Sequence, residues 1–301
     1  MGRKLILLAL LLPAVVDARG RVVELTPANP VGMKFARQAM PATGNTVRAE
    51  SRTIYLNREG VVLRPGDNDS SNDVSSVVTQ PTVITPWEID DETWQDTVTC
   101  IRDMYSRFDV TVTDEDPGAV PHIEAVFGGH PNDVDLPDNV AGVSPFTSDC
   151  AVIERSIVFT FTDVIEDNAQ LMCEIMAQEI AHSFGLDHEM LPEDPMTYLE
   201  YSGDRSFQNE MADCGEFGQR MCGIEGSVCR ERQNSVALLT QRLGASANAP
   251  APDDELEGEY KGGISGGCST GGGGAGIGFV LLVGHLVARR RTRDRRHRSV
   301  L

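Results

Sequence analysis

The chain has 301 residues, 26 Lys+Arg against 45 Asp+Glu, and a formal net charge of −19 at pH 7. A hydrophobic content of 41% supplies a real core and excludes wholesale disorder, and the acidity excludes a nucleic-acid binder, because phosphate binding needs a basic surface. Removing the +6 of residues 289–301 and the +1 of residues 1–18 leaves −26 for residues 19–288, so the two ends are built for different surroundings from the body.

In chain order, Arg3 and Lys4 precede an apolar run over 5–16 and small residues at 16–18. This reads as a secretory signal peptide over 1–18 with cleavage near Ala18; a buried N-terminal helix is the alternative. Residues 19–49 lack periodicity and read as an extended lead-in. Alternation over 53–57 predicts a strand. Residues 65–73 form a polar loop of turn-forming Asp and Asn, and Asp67, Asp69 and Asp73 also make it a calcium-site candidate. Trp94, Val98, Ile101 and Tyr105 recur at helical spacing and predict a helix over 91–108, with Trp94 and Tyr105 as core residues. Strands are expected over 108–112, 123–127, 141–146 and 156–161. Leu171, Ile175, Ile180 and Phe184 predict a long helix over 166–184 that Gly185 stops. A further helix is expected near 235–243. With no internal repeat, this order implies an α/β or α+β fold around one sheet.

Beyond it, residues 245–267 are Ala, Pro, Gly and acid, and read as a linker. After Cys268 comes an apolar run over 271–288, just long enough to cross a hydrocarbon core, then the Arg cluster of 289–301. The positive-inside rule places that cluster in the cytoplasm and the body outside, as for a single-pass anchor. Apart from Cys268, the cysteines are Cys100, Cys150, Cys173, Cys214, Cys222 and Cys229. An even number in an oxidising compartment predicts three disulfides, one of them among 214, 222 and 229; a zinc knuckle is the rival, but a CxxC pair is missing.

The chemistry concentrates in Gln178-Glu179-Ile180-Ala181-His182-Ser183-Phe184-Gly185-Leu186-Asp187-His188. Gln178 and His182 are four apart and share a helix face. Gly185 allows a reversal that returns His188 to the same point. Such a cluster suits a tetrahedral metal with an open position, and Glu179 is placed to take a proton from metal-bound water there.

The run resembles the H-E-x-x-H-x-x-G-x-x-H motif of the metzincin zinc proteases, reading here Q-E-I-A-H-S-F-G-L-D-H. Met196 lies eight residues after His188, a spacing like that of the matrixins, and Met196-Thr197-Tyr198 has the M-x-Y form of astacins and serralysins. The resemblance covers roughly 50–244. It implies an α+β, metzincin-like fold: a twisted mixed sheet, an active-site helix, and a smaller helical, disulfide-stapled C-terminal half beginning after Met196. It implies Zn2+ bound by His182 and His188 with Gln178 as a weak third ligand, Glu179 as general base, Tyr198 stabilising the oxyanion, and Gly185 and Met196 shaping the floor. The substrate peptide or protein would pair with the strand over 142–145. Matrixins also carry structural zinc and calcium ligands near the stretch His130, Asp133 and Asp135, here read first as an ordinary acidic loop. Gln178 departs from the motif, because an amide oxygen is a weaker zinc donor than imidazole; Tyr198, His122 or His130 are candidate replacements.

The tail, Gly-Gly-Cys268 followed by an apolar span and an Arg cluster, resembles the myxobacterial C-terminal sorting signals (MYXO-CTERM type). That resemblance makes Cys268 a processing site for a sorting protease or transpeptidase-like machinery and places the mature protein at the cell surface. The expectation is therefore an exported, surface-anchored zinc metalloendopeptidase. Its alternatives are a catalytically inactive metzincin fold that binds peptides or a surface partner, favoured by Gln178, and a calcium-dependent structural surface protein.

Overall fold

Strands buried on both faces form the middle of the central sheet in the computed structural model, which describes residues 48–247 and, ahead of them, the strands Ala14–Val16 (β1), Val22–Leu25 (β2) and Lys34–Met40 (β3). The remaining strands are Thr53–Asn57 (β4), Val61–Pro65 (β5), Val74–Ser75 (β6), Thr82–Ile84 (β7), Thr111–Thr113 (β8), His122–Phe127 (β9), Val140–Thr147 (β10), Ile157–Thr160 (β11), Ala212–Asp213 (β12) and Arg232–Gln233 (β13). The helices are Asp91–Tyr105 (α1), Ala169–Ser183 (α2) and Ser235–Leu243 (α3). Cys268 and the apolar run over 271–288 lie outside the described residues, as does the expected signal peptide apart from β1. Among the described residues no helix is long and apolar enough to cross a membrane.

Eight strands form one mixed sheet in the order β1-β2-β3-β10-β11-β9-β4-β8. β8, β4, β9 and β11 run parallel, and β10 is antiparallel to β11. Ile123, Ala125 and Phe127 of β9 face one layer with Ile54 and Leu56 of β4, while Val126 faces the other. On the first face α1 and α2 supply Trp94, Val98, Ile101, Met176 and Ile180, and Leu239 and Leu243 of α3 close the layer. On the second face Leu63, Val78 and Ile84, from the small sheet β6-β5-β7 and its connections, cover Val143, Ile157 and Phe159.

The helices begin where the sequence provides caps. Asp90 accepts from the Thr93 N–H at 2.9 Å, Asn168 from Leu171 at 2.9 Å and Asn234 from Ala237 at 2.8 Å. Two elements are shorter than periodicity suggests. α1 ends at Tyr105, so Phe108 turns inward and the strand expected over 108–112 begins only at Thr111. α2 begins at Ala169, where Asn168 supplies the cap that Glu166 lacks.

Two departures bear on function. The strand over 141–146 is not an open edge, because β3 of the lead-in pairs with it. The half beyond Met196 is stapled as expected, but α3 is its one helix among the described residues, with β12 and β13 forming a two-stranded ribbon. Three disulfides join Cys100 to Cys173, Cys150 to Cys229 and Cys214 to Cys222. They tie α1 to α2, the β10–β11 loop to the lower half, and the lower loop to itself, which removes the zinc-knuckle alternative.

Glu124 of β9 is buried on the second face. Asn57 donates to one of its oxygens at 2.8 Å, and the other meets no donor among the described residues. Burial pushes its carboxyl from 4.5 to about 7, and nearby Asp73 and Asp116 add to that rise against the opposing Asn57 bond. The folded state therefore keeps a proton that the unfolded chain releases near pH 4.5. This contribution is neutral below that pH and removes about 3 kcal/mol of stability as pH rises from 4.5 through 7, then levels off. Denaturant unfolding across that range should show the decline in the native chain and a flatter profile in Glu124→Gln.

Candidate metal centre

α2 is buried from Met172 to Ser183, which shuts its polar side chains Gln178, Glu179 and His182 away from water. The helix ends as the sequence requires. Gly185 has φ +81°, and a Cβ there would lie 2.2 Å from the Cys150 carbonyl oxygen. Its N–H donates to the His182 carbonyl and the Leu186 N–H to that of Ala181. The reversal carries His188 back until its Nε2 stands 3.0 Å from the Nε2 of His182.

The proton positions on these rings follow from their neighbours. His182 Nδ1 is 2.7 Å from the Leu186 carbonyl oxygen, which only accepts, so Nδ1 carries the hydrogen. His188 Nδ1 is 2.9 Å from Glu216 Oε1 and donates to it in the same way. Both Nε2 atoms of the neutral rings therefore present lone pairs to the same small space. Burial keeps the rings neutral: it pushes His188 down to about 4, with Arg37 adding to the effect against Glu216, and it pushes His182 well below the usual imidazole range, helped by His188 and Arg37. Two facing lone pairs that resist protonation form a donor set for a cation. Nitrogens each about 2.0–2.1 Å from one zinc stand at most about 4 Å apart, which 3.0 Å satisfies.

The other sides are polar as well. Tyr198 donates its hydroxyl to His188 Nε2 at 2.7 Å, and the Gln178 amide nitrogen lies 3.5 Å from that hydroxyl. Glu179 is fully buried, and neither oxygen meets a donor at hydrogen-bonding geometry, the Ser144 hydroxyl being its near polar neighbour. Burial holds its carboxyl well above the usual range. Its seat depends on Gly142 of β10, where a Cβ would come within 2.7 Å of Glu179 Oε1. Met196 is buried, its carbonyl accepting from the Glu189 N–H at 2.9 Å and its own N–H donating to Asp194 at 2.9 Å, which joins this turn to the residue after His188. The structure thus brings Gln178, His182, His188 and Tyr198 together, with Glu179 beside β10.

His122 and His130, the alternative ligands, are used elsewhere. His122 Nδ1 donates to the Val120 carbonyl, and His130 accepts from Asn132 as the cap of a short 3-10 turn whose Asp133 reciprocates. Among the described residues, neither acidic loop assembles a three-donor cation group.

Sequence reading missed the shell behind His188. Asp187, His188 and Glu216 offer ligand atoms within 4.8 Å of one another, a group that could hold a metal. A second such group, Asp187 with Cys214 and Cys222, has its sulfurs in a disulfide. Asp187 is buried and pairs with Arg37 and with Arg220, while accepting from Gly223 N–H at 2.7 Å and His188 N–H at 2.7 Å. Burial alone would raise both acids. For Asp187, Arg37 and Arg220 reverse that effect; for Glu216, His188, Arg220 and Arg37 do so, leaving both carboxyls well below their usual range. The available signal was Glu216 and Arg220, four residues apart inside the brackets of Cys214 and Cys222.

No protein family, curated protein or solved structure matches this chain.

Since Gly185 combines a left-handed backbone with a carbonyl at 2.2 Å from any added methyl, Gly185→Ala should lose at least about 2 kcal/mol in denaturant unfolding.

Proposed function

We propose that this is an exported, zinc-dependent metallopeptidase whose metal is held by His182 and His188. The observation that carries it is the pair of buried Nε2 lone pairs facing each other at 3.0 Å, each ring's proton fixed on the far nitrogen by Leu186 or Glu216. Gln178 and Tyr198 line the remaining sides, and an amide or phenol oxygen from them would complete the set. Zinc there would supply Lewis acidity toward a carbonyl and toward water. Glu179 would be the group to take a proton from such a water and return it to the leaving amine, a role suited to a carboxyl whose proton affinity burial has raised. Tyr198 would donate to a developing oxyanion from its position beside His188.

The strand order β4-α1-β8-β9-β10-β11-α2, with a methionine turn behind His188, supports a metzincin-like assignment. Three disulfides suit an oxidising compartment. The same reading gives the protein a peptide or protein substrate, the membrane as partner through 271–288, and a sorting machinery acting at Cys268.

A second reading, a catalytically silent peptide-binding fold, is favoured by Gln178, whose amide meets Tyr198 where the motif has a third imidazole. Elemental analysis of the purified chain separates the two. The enzyme reading expects one zinc per chain, tightened by Gln178→His; a chain that takes up no zinc in excess metal supports the silent fold. Glu179→Gln should keep zinc yet lose roughly 10²–10⁴-fold in peptide cleavage, the usual share of a general base. Glu216→Ala should weaken zinc binding roughly 10- to 100-fold by competition titration, since it frees the outer nitrogen of His188.

A further inference from the structure

β3 runs parallel to β10 with Phe35 opposite Gly142, Ala36 opposite Val143, Arg37 opposite Ser144 and Gln38 opposite Pro145. It therefore uses the backbone groups of β10 beside Glu179 that any added peptide strand would need. Its grip is specific. Arg37 is 1% exposed, forms an ion pair with Asp187, lies 3.4 Å from Glu216 and places its guanidinium 5.0 Å from the Phe146 ring centre. A planar cation between two carboxylates and an aromatic face is the chemistry that selects arginine over lysine.

The recess does not need Arg37 to remain satisfied. Without it, Asp187 keeps Arg220 and the N–H groups of His188 and Gly223, and Glu216 keeps Arg220 and His188. Departure of β3 therefore leaves neither carboxylate without a partner, unlike the loss of one member of an isolated buried pair.

We infer that residues 34–40 are an intramolecular occupant of the β10 edge, keyed into the centre by Arg37, and that the Asp187–Glu216–Phe146 recess is a subsite for the arginine of an extended peptide. This rests on the proposed peptidase reading for its consequence, that peptides carrying arginine at this position are the favoured ligands and must displace β3. Only seven residues separate Met40 from Arg48, so the tethered strand competes at an effective concentration on the order of millimolar.

Hydrogen exchange on the full chain tests it, with two added peptides: Lys-Phe-Ala-Arg-Gln-Ala-Met, and the same with Ala for Arg. In Arg37→Ala the amides over 142–147 should exchange at least about tenfold faster than in the native chain, with Arg37→Lys between, because β3 loses the ion pair and aromatic contact that hold it on β10. The arginine peptide should bind Arg37→Ala at least about tenfold tighter than it binds the native chain and restore protection over 142–147; the alanine peptide should do neither. Equal exchange in all three proteins, or equal binding of the two peptides, overturns the inference and makes β3 a permanent strand. If Arg37→Ala unfolds, the choice falls to Arg37→Lys and to titration of the native chain with both peptides. None of these readouts needs metal or turnover. A chain that binds no zinc can still pass, and a zinc-loaded, active chain whose β10 amides ignore Arg37 fails this inference alone.

Discussion

Behind His188, two carboxylates and two guanidiniums meet, with Asp187 and Arg37 buried and Arg220 at the partly exposed rim. Isolated charges there would be prohibitively costly, and the cluster is tolerable because every carboxylate oxygen of Asp187 and Glu216 meets a donor. Much else follows from that arrangement. It keeps Glu216 ionised as the acceptor for His188 Nδ1, joins the lower loop to the end of α2, and gives β3 a reason to lie on β10 rather than in solvent.

The centre also shows how two glycines, neither bearing any chemistry, determine where chemistry sits. Gly185 lets the chain pass beneath the Cys150 carbonyl and return His188 to His182. Gly142 leaves β10 without a side chain where Glu179 rises toward it. A larger residue at either point would separate groups that the sequence places only six or nine positions apart within 179–188.

Much of this was legible in one dimension. The i, i+4 spacing of Gln178 and His182, the glycine stop and the later methionine predicted which side chains gather, because helix geometry and one reversal determine their positions. The disulfide count was legible from parity, though not its pairing beyond one loop bridge. Long-range partners were not legible. Arg37 pairs with Asp187 across 150 residues, and nothing local in 34–40 distinguishes a strand from an extended lead-in. Glu216 was hidden because its importance comes from a proton on a ring 28 positions earlier. Helix ends shifted where a capping side chain, rather than apolar spacing, decided the boundary.

The Cys214–Cys222 bridge closes a small ring, and Glu216 is held within it, with the Cys150–Cys229 bond enclosing that ring in a larger covalent loop. The residue that orients His188 thus sits in a disulfide-closed loop that ion pairs and backbone bridges also hold. The same loop is held to the end of α2 by the Gly215 N–H on the His188 carbonyl and by the Arg220 bonds to Glu216 and Asp187. The orientation of an imidazole in this centre is therefore tied to a loop whose two ends are joined by sulfur, outside any helix or sheet that carries the rest of the site.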